Sequence, residues 1–588
     1  MRGSRGLIAA LIGLSALATL RPQVQERQKA AGLVIEGADT QGMASDVAVP
    51  TLALGAFRGL VVDYLWVRTI TLREQGRTYE ARVLAEQIGR LQPRLPAVWD
   101  YLGSHLAYDL AATANDAETR WAWIQNGLDL VREQGLAKNP TSSRLCYTLS
   151  RIYQDKVNAT MDDFHLDFKR EHMLRMRRAG IHLASVIELA SAPGLSALAA
   201  QDEAALEVLV AYSKLRGLGE ISEIEPTLLC AAHHRYRYEG LPPADGVSPA
   251  EVAFLVSLEK SPAGNRVLIS CAAQSLREIG FDPEHMRQVN ADYGPLRWQS
   301  SFSAPIYWAA KGVMLAEAKG DVAQKVRCRR AALQGLKNAM RSGRSELQKD
   351  IAGGGKLIPL NLPNLLLIPH LERLYIEGAL EAREDLKAMS KSKEFDVDAF
   401  RAAASFEINQ QQARKDFLME AVILLSEYGR DVEGKLLHAR ARKAYPEEPS
   451  FQTPYQDFLI TIMMNRVTDT GAMDTVDTMT QGLMGLYQRA FTSLAVGEDD
   501  RFRTYDRLAR ARISRWRAYV RATLEEDPAA AQRLKVDVKQ IYYRALKQAA
   551  RQLRHVGHKL KLAQRMKVDP GWLLGKGARV RPAGGGGR

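Results

Sequence analysis

Six ligand-type residues crowd one short stretch of the chain: Asp162, Asp163, His165, Asp167, Glu171 and His172. Carboxylates and imidazoles are the donors that hold hard cations and zinc, so chemistry would be sought here first. On a helix Asp163 and Asp167 share one face, and Phe168 and His172 share another. His165 and His172 are seven residues apart, too far to chelate one metal from a straight helix, and the interleaved Phe164, Leu166 and Phe168 read as the apolar side of an ordinary amphipathic helix. A second group, Cys230-Ala231-Ala232-His233-His234, offers a soft thiol and two imidazoles. No other ligand cluster lies near it in sequence, so it reads as a buried thiol beside two surface histidines. Gly353-Gly354-Gly355-Lys356 has the composition of a phosphate loop, but Asp350 stands where that loop needs glycine and Leu357 where it needs Ser or Thr. The segment is expected to be a loop between helices. No HExxH pair, GxSxG elbow or dinucleotide fingerprint occurs. No catalytic residue, cofactor or metal is assigned, and an enzyme is the least favoured class.

Charge singles out one end. Residues 501–588 hold 23 Lys and Arg against 6 Asp and Glu, a net +17, in a chain whose total is +14. The preceding 500 residues are therefore near neutral, and an anionic partner is implied for the C-terminal end alone. Arg501, Arg503, Arg507, Arg510, Arg512, Arg515, Arg517 and Arg521 alternate with Phe502, Tyr505, Trp516 and Tyr519. Tyr542, Leu546, Ala549, Leu553, Val556 and Leu560 form a stripe at helical spacing, with Arg544, Lys547, Arg551 and Arg554 on other faces. This pattern predicts a basic amphipathic helix with those four cations as its anion-binding set. Anionic lipid or another envelope polyanion, nucleic acid contacted through arginine and stacked rings, and a solvated face packed on the body are the competing readings.

The elements that must carry these residues read as helices. Hydrophobic residues are 46% and charged residues 25%, ordinary for globular protein. Amphipathic runs of helical period follow one another, broken at Gly76, Gln92-Pro93, Asn139-Pro140, Gly240 to Pro243, Gly353 to Gly355, Gly429 and Pro446. Strand-like alternation is scarce. Cys146, Cys230, Cys271 and Cys328 contain no CxxC pair and read as buried thiols; their disulfide state is not deducible from spacing.

Leu65, Leu72, Gly76, Ala81 and Pro93 fall at the offsets of a tetratricopeptide repeat, and so do Leu418, Leu425, Gly429, Gly434, Ala441 and Pro446. Trp99 with Gly103 and Trp308 with Gly312 have that family's tryptophan-to-glycine spacing. The chain therefore resembles the tetratricopeptide-like helical proteins, whose repeat is a helix pair of about 34 residues. It is also similar to an uncharacterised group of exported bacterial proteins of this kind, which implies no particular activity. The resemblance implies an all-α, irregular helical-hairpin solenoid that binds protein or peptide partners in a groove. Antiparallel helix pairs are expected at 56–92 and 415–446, with turns at Gly76 and Gly429 and close helix approach at Ala81 and Gly434.

At the amino terminus Arg2 and Arg5 precede an uncharged run from Leu7 to Leu20 with small residues at Ala16 and Ala18. That run is expected to be a signal peptide or a short membrane anchor, placing the body on the periplasmic side. A cytoplasmic location is the alternative. Leu52 to Ile70 carries Arg58, Asp63 and Arg68 and is read as the first core helix. The expected organisation is a leader at 1–20, helical-repeat regions at 50–290 and 300–500, a basic amphipathic region at 501–574 and a disordered Gly/Arg tail at 575–588. The resulting reading is an exported scaffold with a cationic end; a cytosolic nucleic-acid-associated helical protein is its rival.

Overall fold

The structure, a computed structural model, describes residues 58–159, 162–239, 248–349, 357–391, 396–428, 430–455, 457–459, 476–526, 528–553 and 555–574. The leader run Leu7–Leu20, the Gly353–Gly355 segment, Gly429, Arg554 and the tail 575–588 lie outside the described residues. The described chain is all-α, apart from one two-stranded sheet. It divides into two compact units. One comprises 58–114 and 122–148; the other comprises 115–121 and the described residues from 149 onward. None of the described helices is long and apolar enough to cross a membrane.

The first unit opens with a hairpin of α1 (Arg58–Glu74) and α2 (Thr78–Leu91). The turn sits at Gly76, whose φ of +74° is a left-handed conformation that a side chain would strain. Ala81, Ala85 and Ile88 are fully buried along α2, and Leu65 and Leu72 face them from α1 with partial and full burial. α2 stops before Pro93, which cannot continue it. The Pro93 carbonyl then accepts hydrogen bonds from Trp99 Nε1 (2.8 Å) and Asn139 Nδ2 (3.0 Å). The two breaks at Gln92-Pro93 and Asn139-Pro140 are thus tied to one another directly.

α3 (Pro96–Ser104) and α4 (Ala117–Asp129) meet backbone to backbone. A methyl group on Gly103 would lie 2.2 Å from Val131 Cγ2, and one on Gly127 would lie 2.7 Å from the Gly103 carbonyl oxygen. At Gly127 the obstruction is backbone and cannot rotate away, and at Gly103 it is the Val131 side chain with the Gly127 carbonyl oxygen at 3.1 Å behind it. α3 and α4 each run on into a π-helical turn, His105–Leu110 and Leu130–Gly135, and α5 (Ser143–Ile152) does the same at Tyr153–Asn158.

In the second unit, α6 (His165–Arg178), α7 (Pro226–His234) and α8 (Pro262–Glu278) lead to a hairpin of α9 (Ser303–Ala318) and α10 (Val322–Ser342). Trp308 and Gly312 are buried on α9. Gly335 of α10 sits against Ile306, where an added methyl would come within 3.0 Å of Cγ1. β1 (Arg344–Lys349) and β2 (Leu357–Leu362) follow as an antiparallel pair with Arg344 opposite Leu362. The glycine-rich segment therefore joins two strands, which corrects the expectation of a loop between helices. Pro359 blocks a helix there and is tolerated because each strand has a single neighbour.

α11 (Ile368–Lys391) and α12 (Val397–Glu427) pack together, and α12 turns into α13 (Asp431–Ala444). The expected pair within 415–446 is present, but α12 begins at Val397 and spans 31 residues, far beyond the first helix of a tetratricopeptide unit. The Tyr428 and Arg430 amides cap α12 by donating to the Leu424 and Leu425 carbonyls (3.0 and 2.8 Å). The space over Gly434 is taken by Tyr455, whose Oη would lie 2.5 Å from an added methyl. Ala441 is fully buried, and Pro446 is exposed just past the helix end.

Candidate anionic-surface site

The cationic end is a packed helical subdomain. α14 (Val476–Val496), α15 (Asp499–Glu526), α16 (Val538–Gln552), α17 (Val556–Met566) and α18 (Pro570–Leu574) share one core. α14 supplies Met479, Leu483, Leu486 and Phe491; α16 supplies Ile541, Ala545, Leu546 and Ala549; α17 supplies Leu562 and Ala563. The packing unit thus reaches back at least to Val476, ahead of the residue-501 line drawn from charge alone.

The expected single helix through 542–560 is two helices. α16 ends at Gln552, and His555 is extended (φ −90°, ψ 128°) before α17 starts. β-branched Val556 and Gly557 weaken helix continuation across this point. Leu546, Ala549 and Leu553 are consumed by the core, whereas Val556 and Leu560 are 60% and 46% exposed. The three described cations of the four assigned to this helix do not form one free face. Arg544 is half-buried and Arg551 is exposed. Lys547 Nζ stands 4.5 Å above the Trp572 ring centroid, and burial, then the nearby Arg551 charge, holds its pKa below the usual lysine value.

Three of the rings between the arginines of α15, Phe502, Tyr505 and Trp516, face inward. Trp516 is buried and donates Nε1–H to the Leu534 carbonyl (3.0 Å). Phe502 and Tyr505 pack against the core, and the Arg489 guanidinium lies 4.7 Å from the Tyr505 ring centroid. Arg489 also reaches Asp431 Oδ2 (2.5 Å). It thereby ties α14 and α15 to the start of α13, a link that sequence spacing gives no sign of. Arg565 forms a forked ion pair with Asp499, joining α17 to the first turn of α15. Arg503, Arg507, Arg510, Arg517 and Arg521 are exposed.

The other constellations assemble differently from their sequence appearance. Asp162 and Asp163 precede α6, and Asp162 Oδ1 accepts from Arg120 Nη1 (3.0 Å) and the Phe164 amide (3.0 Å). Asp167 and Glu171 both pair with Arg170 (2.7 and 2.8 Å), and His165 Nδ1 is 2.9 Å from Lys169 Nζ. His172 is buried between Tyr153 and Phe281, with ring centroids 5.6 and 6.2 Å away. Among the described residues no group of His, Cys, Asp and Glu is arranged to hold a metal ion.

Cys230 is buried as expected, but His233 and His234 are buried too, which corrects their reading as surface groups. His234 meets the His182 ring (centroids 5.1 Å), and His233 Nε2 is 3.3 Å from Glu259 Oε1. All four cysteines are free and buried. Burial pushes the Cys230 thiol well above its usual pKa and Cys271 to about 12, the reverse of what an activated nucleophile requires. No protein-family model matches the sequence, and no curated protein matches it significantly.

Proposed function

We propose that this chain is an exported or membrane-anchored helical-hairpin scaffold that holds protein or peptide partners and sets its C-terminal subdomain against an anionic surface. One observation carries the reading: a net +17 rests on residues 501–588, and most of the apolar side chains described in that subdomain, though not Val556 and Leu560, pack into its own core while arginines stay in solvent. Association with a polyanion is then electrostatic. Sequential helix hairpins support the partner-holding role, since such arrays present extended surfaces to peptides and proteins.

The full-length protein is expected to co-sediment with vesicles containing phosphatidylglycerol and not with pure phosphatidylcholine vesicles. Binding should fade as salt shortens the Debye length from about 10 Å at 0.1 M to about 3 Å at 1 M. Equal recovery with both vesicle types at 0.1 M salt, or recovery with anionic vesicles that does not fall at 1 M, would refute a charge-driven contact. The address rests on the cationic flank and the Leu7–Leu20 run. Deleting residues 2–20 is expected to leave the protein in the cytoplasm, and identical fractionation of full-length and shortened chains would refute export.

The nucleic-acid reading is less favoured, because three of the four rings that would stack on bases, Phe502, Tyr505 and Trp516, are turned toward the core.

A further inference from the structure

Six exposed positions of α15 fall on one line: Arg503, Arg507, Arg510, Ser514, Arg517 and Arg521. Their intervals alternate between four and three, which keeps them in a single stripe of the helix, and five of the six are arginine. At about 1.5 Å of rise per residue the stripe is roughly 27 Å long. Its backbone is held from behind, because Ala509 and Trp516 lie in the core and Phe502, Leu508, Ile513 and Val520 pack against it. Arg503 and Arg510 pair with Asp500 (2.8 Å) and Asp506 (2.7 Å) while 68% and 76% exposed, and exposed pairs of this kind yield readily to a denser negative charge. Arg507, Arg517 and Arg521 make no ion pair among the described residues. None of the described side chains of α15 is both large, apolar and exposed.

We propose that this stripe is a docking rail for the phosphate headgroups of an anionic bilayer, lying flat on the surface without insertion. A straight row of guanidinium groups is coplanar with a flat lattice of phosphates, and each fork can accept a phosphate through two parallel hydrogen bonds. The absence of an exposed apolar residue on the row leaves nothing to insert. Phe502, Tyr505 and Trp516 point away from the stripe into the core, so the row itself offers guanidinium groups and no described ring on which a single-stranded nucleic acid would stack. The rail deepens the anionic-surface reading above and rests on it.

The test compares two triple variants of the full-length protein, each lacking three exposed positive charges. One is Arg507→Gln, Arg517→Gln, Arg521→Gln; the other is Lys535→Gln, Lys539→Gln, Lys567→Gln, off the stripe. Both are titrated with phosphatidylcholine vesicles containing about one-third phosphatidylglycerol, an anionic fraction that gives a strong surface potential. The stripe triple should lose roughly 100-fold in affinity, the effect of three basic residues held at an anionic surface. The control triple should lose less than about fivefold, because charges beyond about 10 Å are screened at 0.1 M salt. Equal losses overturn the rail and leave the charge-driven reading intact. Failure of the unaltered protein to bind anionic vesicles overturns both. Tighter binding to duplex DNA than to the vesicles, abolished by the stripe triple, overturns the bilayer as occupant. If the stripe triple unfolds, single Arg507→Gln replaces it, with an expected loss of about fivefold; an unchanged affinity then overturns the rail.

Discussion

Replacing Glu420 with alanine is expected to destabilise the second unit by about 3 kcal/mol, the lower end of the range for removing one partner of a buried ion pair. The Glu420 side chain is only 8% exposed. It accepts a forked pair of hydrogen bonds from Arg341, with Nη2 at 2.6 Å, and Lys337 Nζ lies 3.8 Å away. Burial works against the Arg341 charge, and the Glu420 carboxylate more than offsets it, so the arginine is held above its usual pKa. Without the carboxylate, two cations one turn apart on α10 repel each other at the face that meets α12. Arg341 is itself 37% exposed, and water relieves part of the loss, which sets the expectation at the lower end. Urea unfolding checks it through a lowered midpoint at constant slope. The double variant Glu420→Met with Arg341→Met should recover most of the stability, because neither buried charge is then left without its partner. A cost below about 1 kcal/mol for Glu420→Ala would show the pair behaving as an ordinary surface ion pair.

Both charged networks of this region join elements distant in sequence, and that is why spacing does not reveal them. Glu372 of α11 faces Arg440 of α13 (3.1 Å) and Arg414 of α12 (3.6 Å), just as Arg489 of α14 faces Asp431 of α13. The hairpin at Gly76 is legible because a chain reversal between two helices needs a residue that tolerates positive φ, and the surrounding Leu65, Leu72 and Ala81 have the period of a buried face. The close crossing at Gly103 is legible on one side only. Its partner Gly127 belongs to no repeat motif and becomes meaningful only when the two helices are seen to touch.

The strand pair is hidden for the opposite reason. Arg344-Ser345-Glu346-Leu347-Gln348-Lys349 is composed largely of good helix formers, and its strand conformation comes from pairing with β2, where Pro359 forbids a helix. The length of α12 is hidden because the repeat offsets around Leu418 and Leu425 describe only its last turns. His233 and His234 look like surface groups by residue type, whereas both are buried, His234 against the His182 ring and His233 beside Glu259, contacts between elements that spacing does not reveal. The positive charge of the C-terminal end can be counted from the sequence, but which cations stay in water depends on α14 and on the break at 553–555, neither of which the charge count contains. The 4-3-4-3-4 spacing of the α15 stripe was present in the sequence all along, masked by arginines on other faces such as Arg512.

Stability of the second unit is expected to fall as pH drops from about 6.5 to about 4.5, ahead of ordinary acid denaturation by carboxylate protonation. Burial is the main cause that lowers the pKa of His172 to about 3, and the Arg175 charge adds to it. His182 is lowered to about 4 by burial, then by His234 and Arg177. Burial also lowers His233, with the Glu259 carboxylate opposing, and His285, with the Tyr307 carbonyl opposing. In each case the folded protein holds the imidazole pKa below that of the unfolded chain, which takes up a proton below about pH 6.5. The unfolded state therefore binds more protons throughout this window, and stability is complete above it and lost on the way down. At about 1.4 kcal/mol per pH unit, His172 alone withdraws on the order of 3 kcal/mol by pH 4.5, and the less deeply buried His182 somewhat less. Carboxylates held below their usual pKa by salt bridges, such as Glu448 beside Lys415, add their own loss only at lower pH. The check is the melting temperature of the protein and of His172→Phe at a series of pH values. Phenylalanine keeps the ring between Tyr153 and Phe281 and removes the proton site. The variant should show a visibly shallower acid decline between pH 6.5 and 4.5, whereas parallel curves would mean that His172 does not titrate on unfolding and that its burial carries no acid penalty.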